Sequence, residues 1–417
     1  MDFELEWSPE QEAFRTEVRA WLEQHVPSIP DHADPADLTA DEYALQRKLG
    51  HELGAKGWLY PTMPAEYGGG GMTMDMAMIL EEELDRYHLA TPPYYDTGGR
   101  LGSASILVWG TDEQKAYFLP QILTGKVRTW QLLSEPESGS DLASVTTTAL
   151  HDGEGYVING SKIFVGSNHG AEYSWMIVRT DPDGARHENL AWFMVPMDAA
   201  GITVEPMDLL LVGGERGAAS GVKNTVFFDN VRLPAFNLVG GENNGWKVAG
   251  THLEMEHGLL RSAVRADEML DRLMSYARET NRGGEPLSSD RDVQDALVDF
   301  YIQSQITRLL HFRNFAFRAE GRQLTYEGPQ AYLHQKRSAL AKARAILEIM
   351  GPRALVSDPE WAVADGHVEV NQRASIVEQH PGGTAEIQRV IMARRLGIGR
   401  DAREQPGQLP SAGGRDR

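Results

Sequence analysis

Three regimes of hydrophobic and polar positions follow one another along the chain. The first is helical. Phe14, Val18, Trp21 and Leu22 recur at the spacing of one helix face. Ahead of them, Ser8-Pro9-Glu10-Gln11 has the form of a capping box with proline at the first helical position. Pro27 and Pro30 end that helix, because proline lacks the amide hydrogen and clashes with the preceding turn. Residues 74–87 form a second amphipathic stretch, and a third runs over 113–123.

From about residue 129 the period shortens. The β-branched and aromatic runs 145–150, 156–158, 174–179, 191–195 and 225–228 predict strands. Asp152-Gly153, Asn159-Gly160 and Asp183-Gly184 punctuate them and read as hairpin turns. From about Gly245 helices return and are longer, over 246–280, 290–321, 330–350 and 385–396. Residues 355–378 show no clear period and receive no assignment. This order places a helical domain at 1–128, a β-domain at 129–240 and a second helical domain at 241–400. The stretch 401–417, rich in Gly, Pro, Gln and charge, is expected to be a disordered tail.

The chain has 417 residues, 41% hydrophobic and 24% charged, as in ordinary globular proteins. Its 40 basic residues face 60 acidic ones, a net charge of −20, which disfavours nucleic acid and anionic membrane as partners. There is no cysteine, so disulfide and thiolate chemistry are excluded. No apolar run approaches a membrane span, and residues 1–7 lack the apolar core of a signal peptide. A soluble cytoplasmic protein is expected. The 13 histidines show no H-E-x-x-H arrangement, and no metal site is expected.

Four motifs carry a more specific signal. Gln131-Leu132-Leu133-Ser134-Glu135-Pro136 leads into Gly139-Ser140-Asp141. Asn159-Gly160-Ser161-Lys162 follows, then Phe228-Asp229-Asn230-Val231-Arg232-Leu233-Pro234, and last Gly382-Gly383-Thr384-Ala385-Glu386-Ile387-Gln388-Arg389. Taken in this order, on a helix–β–helix pattern, they resemble the acyl-CoA dehydrogenase family over nearly the whole chain. The resemblance implies an α+β multi-domain fold: an N-terminal helical domain, a central β-barrel and a C-terminal four-helix bundle. It implies FAD as cofactor, removal of two hydrogens from an acyl-CoA thioester, and a tetramer sharing FAD between neighbours. Leu133 and Ser134 would face the flavin ring and Ser140 the phosphates, with Gln131 and Gly139 beside them. Independently, such a segment offers hydroxyls and backbone N–H groups suited to a flavin edge or a pyrophosphate, although it also suits a plain turn.

The resemblance also places the loop Gly382-Gly383-Thr384 at the flavin, with a backbone N–H holding the thioester carbonyl. Gly382 therefore belongs to the catalytic loop through its backbone, and Gly383, Thr384 and Glu386 count as cofactor contacts. Two glycines before a helix N-terminus do let a ligand approach, but Thr384 is equally a simple helix cap.

Many family members carry the catalytic Glu at the position of Gly382, which has no side chain. A minority place it on a helix within Leu-x-x-Glu-Arg. Here that stretch is Leu253-Glu254-Met255-Glu256-His257, and Glu256 matches the base. Helix geometry agrees: Ala249, Leu253, Glu256, Leu260 and Ala263 share one face, where desolvation would raise a carboxyl pKa. Glu254 falls on another face. The structural alternative for Glu256 is a buried ion pair with Arg261 or Arg265.

Some flavin contacts depart from the pattern. Lys162-Ile163-Phe164-Val165-Gly166-Ser167-Asn168 resembles the family's Lys-x-Trp-Ile-Thr-Asn. Phe164 takes the aromatic position. The hydroxyl that contacts flavin N5 falls on Gly166, and Ser167 replaces it only with a shift of the strand. The family's cross-subunit Arg-x-x-Phe-Gly falls on Thr280 and Gly283, flanked by Arg278 and Arg282, with Arg282 as the replacement. The partners implied are an acyl-CoA, an electron-transfer flavoprotein, and either further copies of the chain (a homotetramer) or a paralogue (an α2β2 heterotetramer). Fatty-acid or sterol catabolism is the setting. A non-catalytic subunit, an oxidase and a dehydrogenase of another thioester are the competing readings.

Overall fold

The computed structural model describes residues 7–30, 32–33, 38–87, 89, 98–166, 169–207, 209, 223–256 and 267–398, the side chain of Glu256 excepted. Helix α1 (Pro9–His25) starts at the expected capping box: the Ser8 hydroxyl accepts from the Gln11 amide, and the Gln11 side chain accepts from that of Ser8. Helices α2 (Ala40–Ala55), α3 (Met74–Asp85), α4 (Gly99–Trp109) and α5 (Asp112–Leu123) complete the N-terminal layer. The hydrophobic pattern does not announce α2 or α4, and the reason is packing through glycine. A Cβ on Gly54 would lie 2.4 Å from the Thr124 carbonyl oxygen, and one on Gly102 would lie 2.6 Å from Trp175 Cδ1. Close approach at these glycines interrupts the apolar rows that Leu49 and Leu53 on α2 and Leu101, Ala104 and Ile106 on α4 send into the core.

Eight strands follow: β1 (Thr129–Leu132), β2 (Thr148–His151), β3 (Gly155–Val165), β4 (Tyr173–Arg179), β5 (Leu190–Pro196), β6 (Ile202–Pro206), β7 (Asn224–Pro234) and β8 (Leu238–Val239). They form one sheet in the order β6-β7-β3-β2-β4-β5-β8, with β1 running parallel to β4. Side chains from β1 to β5 and β7 meet in one core around Trp130, Ile158, Phe193 and Phe228. The opposite face sends Trp175 and Trp192 into the N-terminal helical core. Asn159-Gly160 is not a turn. It lies inside β3 at a register shift against β7, where Gly160 has φ 142° and Thr147 leaves no room for a Cβ.

The C-terminal layer comprises α6 (Gly245–Glu256), α7 (Glu268–Glu279), α8 (Arg291–Ala319), α9 (Glu327–Met350), α10 (His367–Val377) and α11 (Ala385–Arg395), with the hairpin β9 (Asn281–Arg282) and β10 (Glu285–Pro286). The single helix expected over 246–280 is interrupted at Asp267 (φ −90°, ψ 83°). Its carboxylate accepts from Ser304 Oγ and Lys342 Nζ, which ties this break to two neighbouring helices. Helix α10 occupies part of the unassigned stretch. Helix α8 exposes Val298, Tyr301, Ile302, Ile306 and Leu309 along one side.

One buried ion pair organises the middle layer. Glu135 and Lys162 are both buried, 2.8 Å apart. Lys162 Nζ also donates to the carbonyls of Leu133 (3.2 Å) and Ile177 (2.8 Å). The Glu135 carboxylate accepts from the amides of Thr146 and Thr147. Burial alone would raise the Glu135 pKa, but the Lys162 charge and these donors hold it at about 2. Burial pulls the Lys162 ammonium down. Removing one partner strands a buried charge. We expect Lys162→Met to cost about 3–5 kcal/mol in urea denaturation, and the double variant with Glu135→Leu to cost less than Lys162→Met alone. Because the carboxyl sits below its ordinary value of about 4.3, the stabilisation is full above that pH. It should drain away as pH falls towards about 2.

Candidate active site

The Ser-Glu-Pro turn and the end of β3 form one unit. The Ser134 carbonyl accepts from the Ile163 amide (2.9 Å), one residue after Lys162 and one before Phe164. Gln131, Leu133 and Ser134 are half-buried. Gln131 Oε1 is buried and has no hydrogen-bond partner among the described residues. Gly139 and Ser140 lie exposed on the following loop, and a Cβ on Gly139 would meet nothing within 4 Å.

Phe164 is held in the left-handed region (φ 58°) with 54% of its surface exposed. Both the backbone conformation and the wet ring are unfavourable for phenylalanine, a combination that marks functional surfaces. Gly166 follows at φ 61°, and a Cβ there would lie 2.1 Å from Trp130 Cε2. The indole of Trp130 therefore fills the space that a threonine or serine at 166 would need. Lys223 Nζ donates to the Gly166 carbonyl (3.0 Å), and Asn224 Nδ2 to that of Val165 (3.0 Å), so the strand end is pinned from β7. Ser167 lies outside the described residues.

The C-terminal loop is clamped from beneath. Lys336 on α9 is buried and donates to the carbonyls of Glu378 (2.8 Å) and Pro381 (2.6 Å). Gly382 and Gly383 follow with φ 65° and 83°. Gln388, which the sequence leaves open as a surface residue, is fully buried and donates to the Gly382 carbonyl (2.6 Å). Thr384 is the N-cap of α11, its hydroxyl accepting from the Ile387 amide. Glu386 is exposed in the first turn, 3.5 Å from Arg389.

Helix α6 packs against α4 and against β4 and β5, so its last turn lies where the three layers meet. Glu256 is its final residue. The Glu256 side chain, and His257, Arg261 and Arg265, lie outside the described residues. Glu254 is half-buried and accepts from Arg395 Nη2 on α11 (3.2 Å). Burial raises its pKa, with Arg395 and Arg318 pulling it back. His252, which sequence reasoning passed over, is fully buried, its ring centre 4.4 Å from that of Trp175 and its Nδ1 3.5 Å from Ser105 Oγ. Burial takes its pKa down to about 3, so it stays neutral.

Thr280 follows α7 as its C-cap. Arg282, 59% exposed on β9, donates to the Ile349 carbonyl (3.1 Å) and lies 4.0 Å from Asp290. Gln294 donates to the Ser288 carbonyl. These partners are local, and none of them belongs to the segment Gln131–Ser140. Arg278 is exposed.

Residues 8–126 match the acyl-CoA dehydrogenase N-terminal domain, 131–231 the middle domain and 243–397 the C-terminal domain. The chain belongs to the acyl-CoA dehydrogenase family. It is 29% identical over 401 residues to acyl-CoA dehydrogenase FadE26 of Mycobacterium tuberculosis, covering 93% of this chain and 96% of that one. Among solved structures, the Tcur3481-Tcur3483 steroid ACAD superposes with a TM-score of 0.77 at 28% identity, covering 96% and 100%. The ChsE4-ChsE5 complex from Mycobacterium tuberculosis does so with 0.77 at 27%, again covering 96% and 100%. As an acyl-CoA dehydrogenase, the protein uses FAD to oxidise an acyl-CoA thioester. The residues present fit such a cofactor: an orphaned Gln131 oxygen, an exposed Phe164 ring and two glycines free of side chains. No membrane-spanning helix occurs among the described residues.

The contact between Trp130 and Gly166 makes a prediction. Gly166→Thr should overpack the site and cost about 1–3 kcal/mol in urea unfolding. In a Trp130→Ala background the same substitution should cost much less, a coupling that a double-mutant cycle reads directly.

Proposed function

We propose that Glu256 is the base that takes the α-proton of the thioester and that the loop Gly382–Thr384 polarises its carbonyl. The observation that carries this reading is the loop itself. Gly382 leaves the common base position without a carboxylate, and Glu254, the neighbouring candidate, is engaged by Arg395. An α-carbon is weakly acidic, so the step needs both a fixed carboxylate and donors at the developing oxyanion. Thr384 caps α11, which aims the positive end of that helix at the loop. Bound FAD supplies the hydride acceptor. Leu133, Ser134 and Phe164 would line its ring, and Gly139 and Ser140 would serve its phosphates.

The quaternary reading favours an α2β2 heterotetramer with a paralogue. Its support is the Thr280 that stands at the cross-subunit arginine position, the local engagement of Arg282, and the Gly166 that cannot regain a hydroxyl. The apolar row on α8 offers the surface for such association. ChsE4-ChsE5 and Tcur3481-Tcur3483, both similar to this chain, are each named as a pair. The second is a steroid ACAD, which directs the substrate search to bulky side-chain thioesters. An electron-transfer flavoprotein is the proposed acceptor, and a cytoplasmic location is proposed with it.

Glu256→Gln should leave the flavin spectrum intact and slow anaerobic bleaching by acyl-CoA about 10²–10⁴-fold. Bleaching at the wild-type rate would remove Glu256 from the mechanism. Expressed alone, the chain should be colourless or carry less than one FAD per subunit, and should turn yellow when co-expressed with its paralogue. One FAD per subunit without a partner would establish a homotetramer instead.

A further inference from the structure

Glu254 stands in α6 two residues before Glu256. A half-buried carboxylate needs partners, and two other helices bring cations to it. Arg395, the last residue of α11, bonds the Glu254 carboxylate at 3.2 Å. Arg318, near the end of α8, donates to the Glu254 main-chain carbonyl at 3.2 Å. Both members of the Glu254–Arg395 pair are largely covered, with side-chain exposures of 30% and 28%. Burial, with the nearby Arg100, brings the Arg318 guanidinium down to about 10, so it remains charged at neutral pH. Helix α11 starts at Ala385, after its cap Thr384, and Arg395 is its far end, about 15 Å along, so the ion pair and the rigid length of α11 together link α6 to the loop.

We propose that Glu254 and Arg395, with Arg318 on the Glu254 carbonyl, form a clasp that fixes the end of α6 against α8 and α11. That clasp sets the position of Glu256 relative to the loop Gly382–Thr384. Glu254 and Arg395 are positioning residues: they act through the base. The inference rests on Glu256 being that base. It also gives the two glutamates of Leu253-Glu254-Met255-Glu256 separate duties, one holding the helix end and one doing chemistry. A small displacement of a catalytic group is enough to slow a proton transfer heavily.

The test uses the assembled flavoenzyme, with any subunit that co-purifies. The probe is whichever of octanoyl-CoA, 2-methylpropanoyl-CoA and a steroid side-chain CoA thioester bleaches the wild-type flavin fastest. Glu254→Gln and Arg395→Ala should keep the FAD content and visible spectrum. Their bleaching rate at saturating thioester should fall on the order of 10–100-fold, with little change in the half-saturating concentration. Arg395→Lys should lose less, and the exchanged pair Glu254→Arg with Arg395→Glu should recover much of the rate. Wild-type bleaching in Glu254→Gln, or a loss confined to thermal stability, would overturn the clasp. So would an exchanged pair no faster than the single variants, provided Arg395→Lys also behaves as Arg395→Ala. Glu256→Gln run alongside separates the two readings. If it bleaches normally, the base assignment fails and the clasp with it; if it is slow while Glu254→Gln is normal, only the clasp fails.

Discussion

A carboxylate and an ammonium shut away from water hold the turn at 133–135 against strand β3. Neither Glu135 nor Lys162 is stable inside a protein alone, and their attraction repays desolvation only when every remaining donor and acceptor is satisfied. Here they are spread over four stretches of chain: the turn at 133–135, the amides at 146 and 147, strand β3 at Lys162, and the Ile177 carbonyl on β4. Moving either the turn or Lys162 would break bonds to two of the other stretches. The strain visible two residues later, at Phe164, is tolerable because the backbone leading into it is so firmly held.

The C-terminal loop uses the same device without the acid. Lys336 presents a buried ammonium to main-chain carbonyls at 378 and 381, and Gln388 takes the carbonyl at 382. Lysine suits this task because it carries three donors and no acceptor on a stem that packs as hydrocarbon. The turn at 133–135 and the loop at 378–383 are thus both shaped by bonds from buried side chains to backbone carbonyls.

Much of this was open to reading from the chain and some was not, for physical reasons. Helices with large apolar stripes, such as α1 and α3, were legible from period and capping. Helices α2 and α4 were harder to read because Gly54 and Gly102 interrupt the rows that Leu49, Leu53, Leu101 and Ile106 carry. Asn159-Gly160 looked like a hairpin tip, yet pairing with β7 carries β3 straight through it as a bulge. The motifs single out the segments at 131–141 and 159–162, but motif matching alone could not tell that Glu135 and Lys162 touch each other. Likewise Gln388 reads equally well as a polar contact or a surface residue; the loop carbonyl it donates to decides for burial. Trp130 gave no signal at all, since its partner is the absence of a side chain at position 166.

That last pairing works as an interlock. The indole of Trp130 and any side chain at position 166 claim the same space, so a hydroxyl-bearing residue cannot be introduced at 166 by a single substitution without overpacking the core. Hollowing out Trp130 to make room would in turn leave a less stable protein. A contact that a hydroxyl at 166 would have made must therefore come from another residue or another chain.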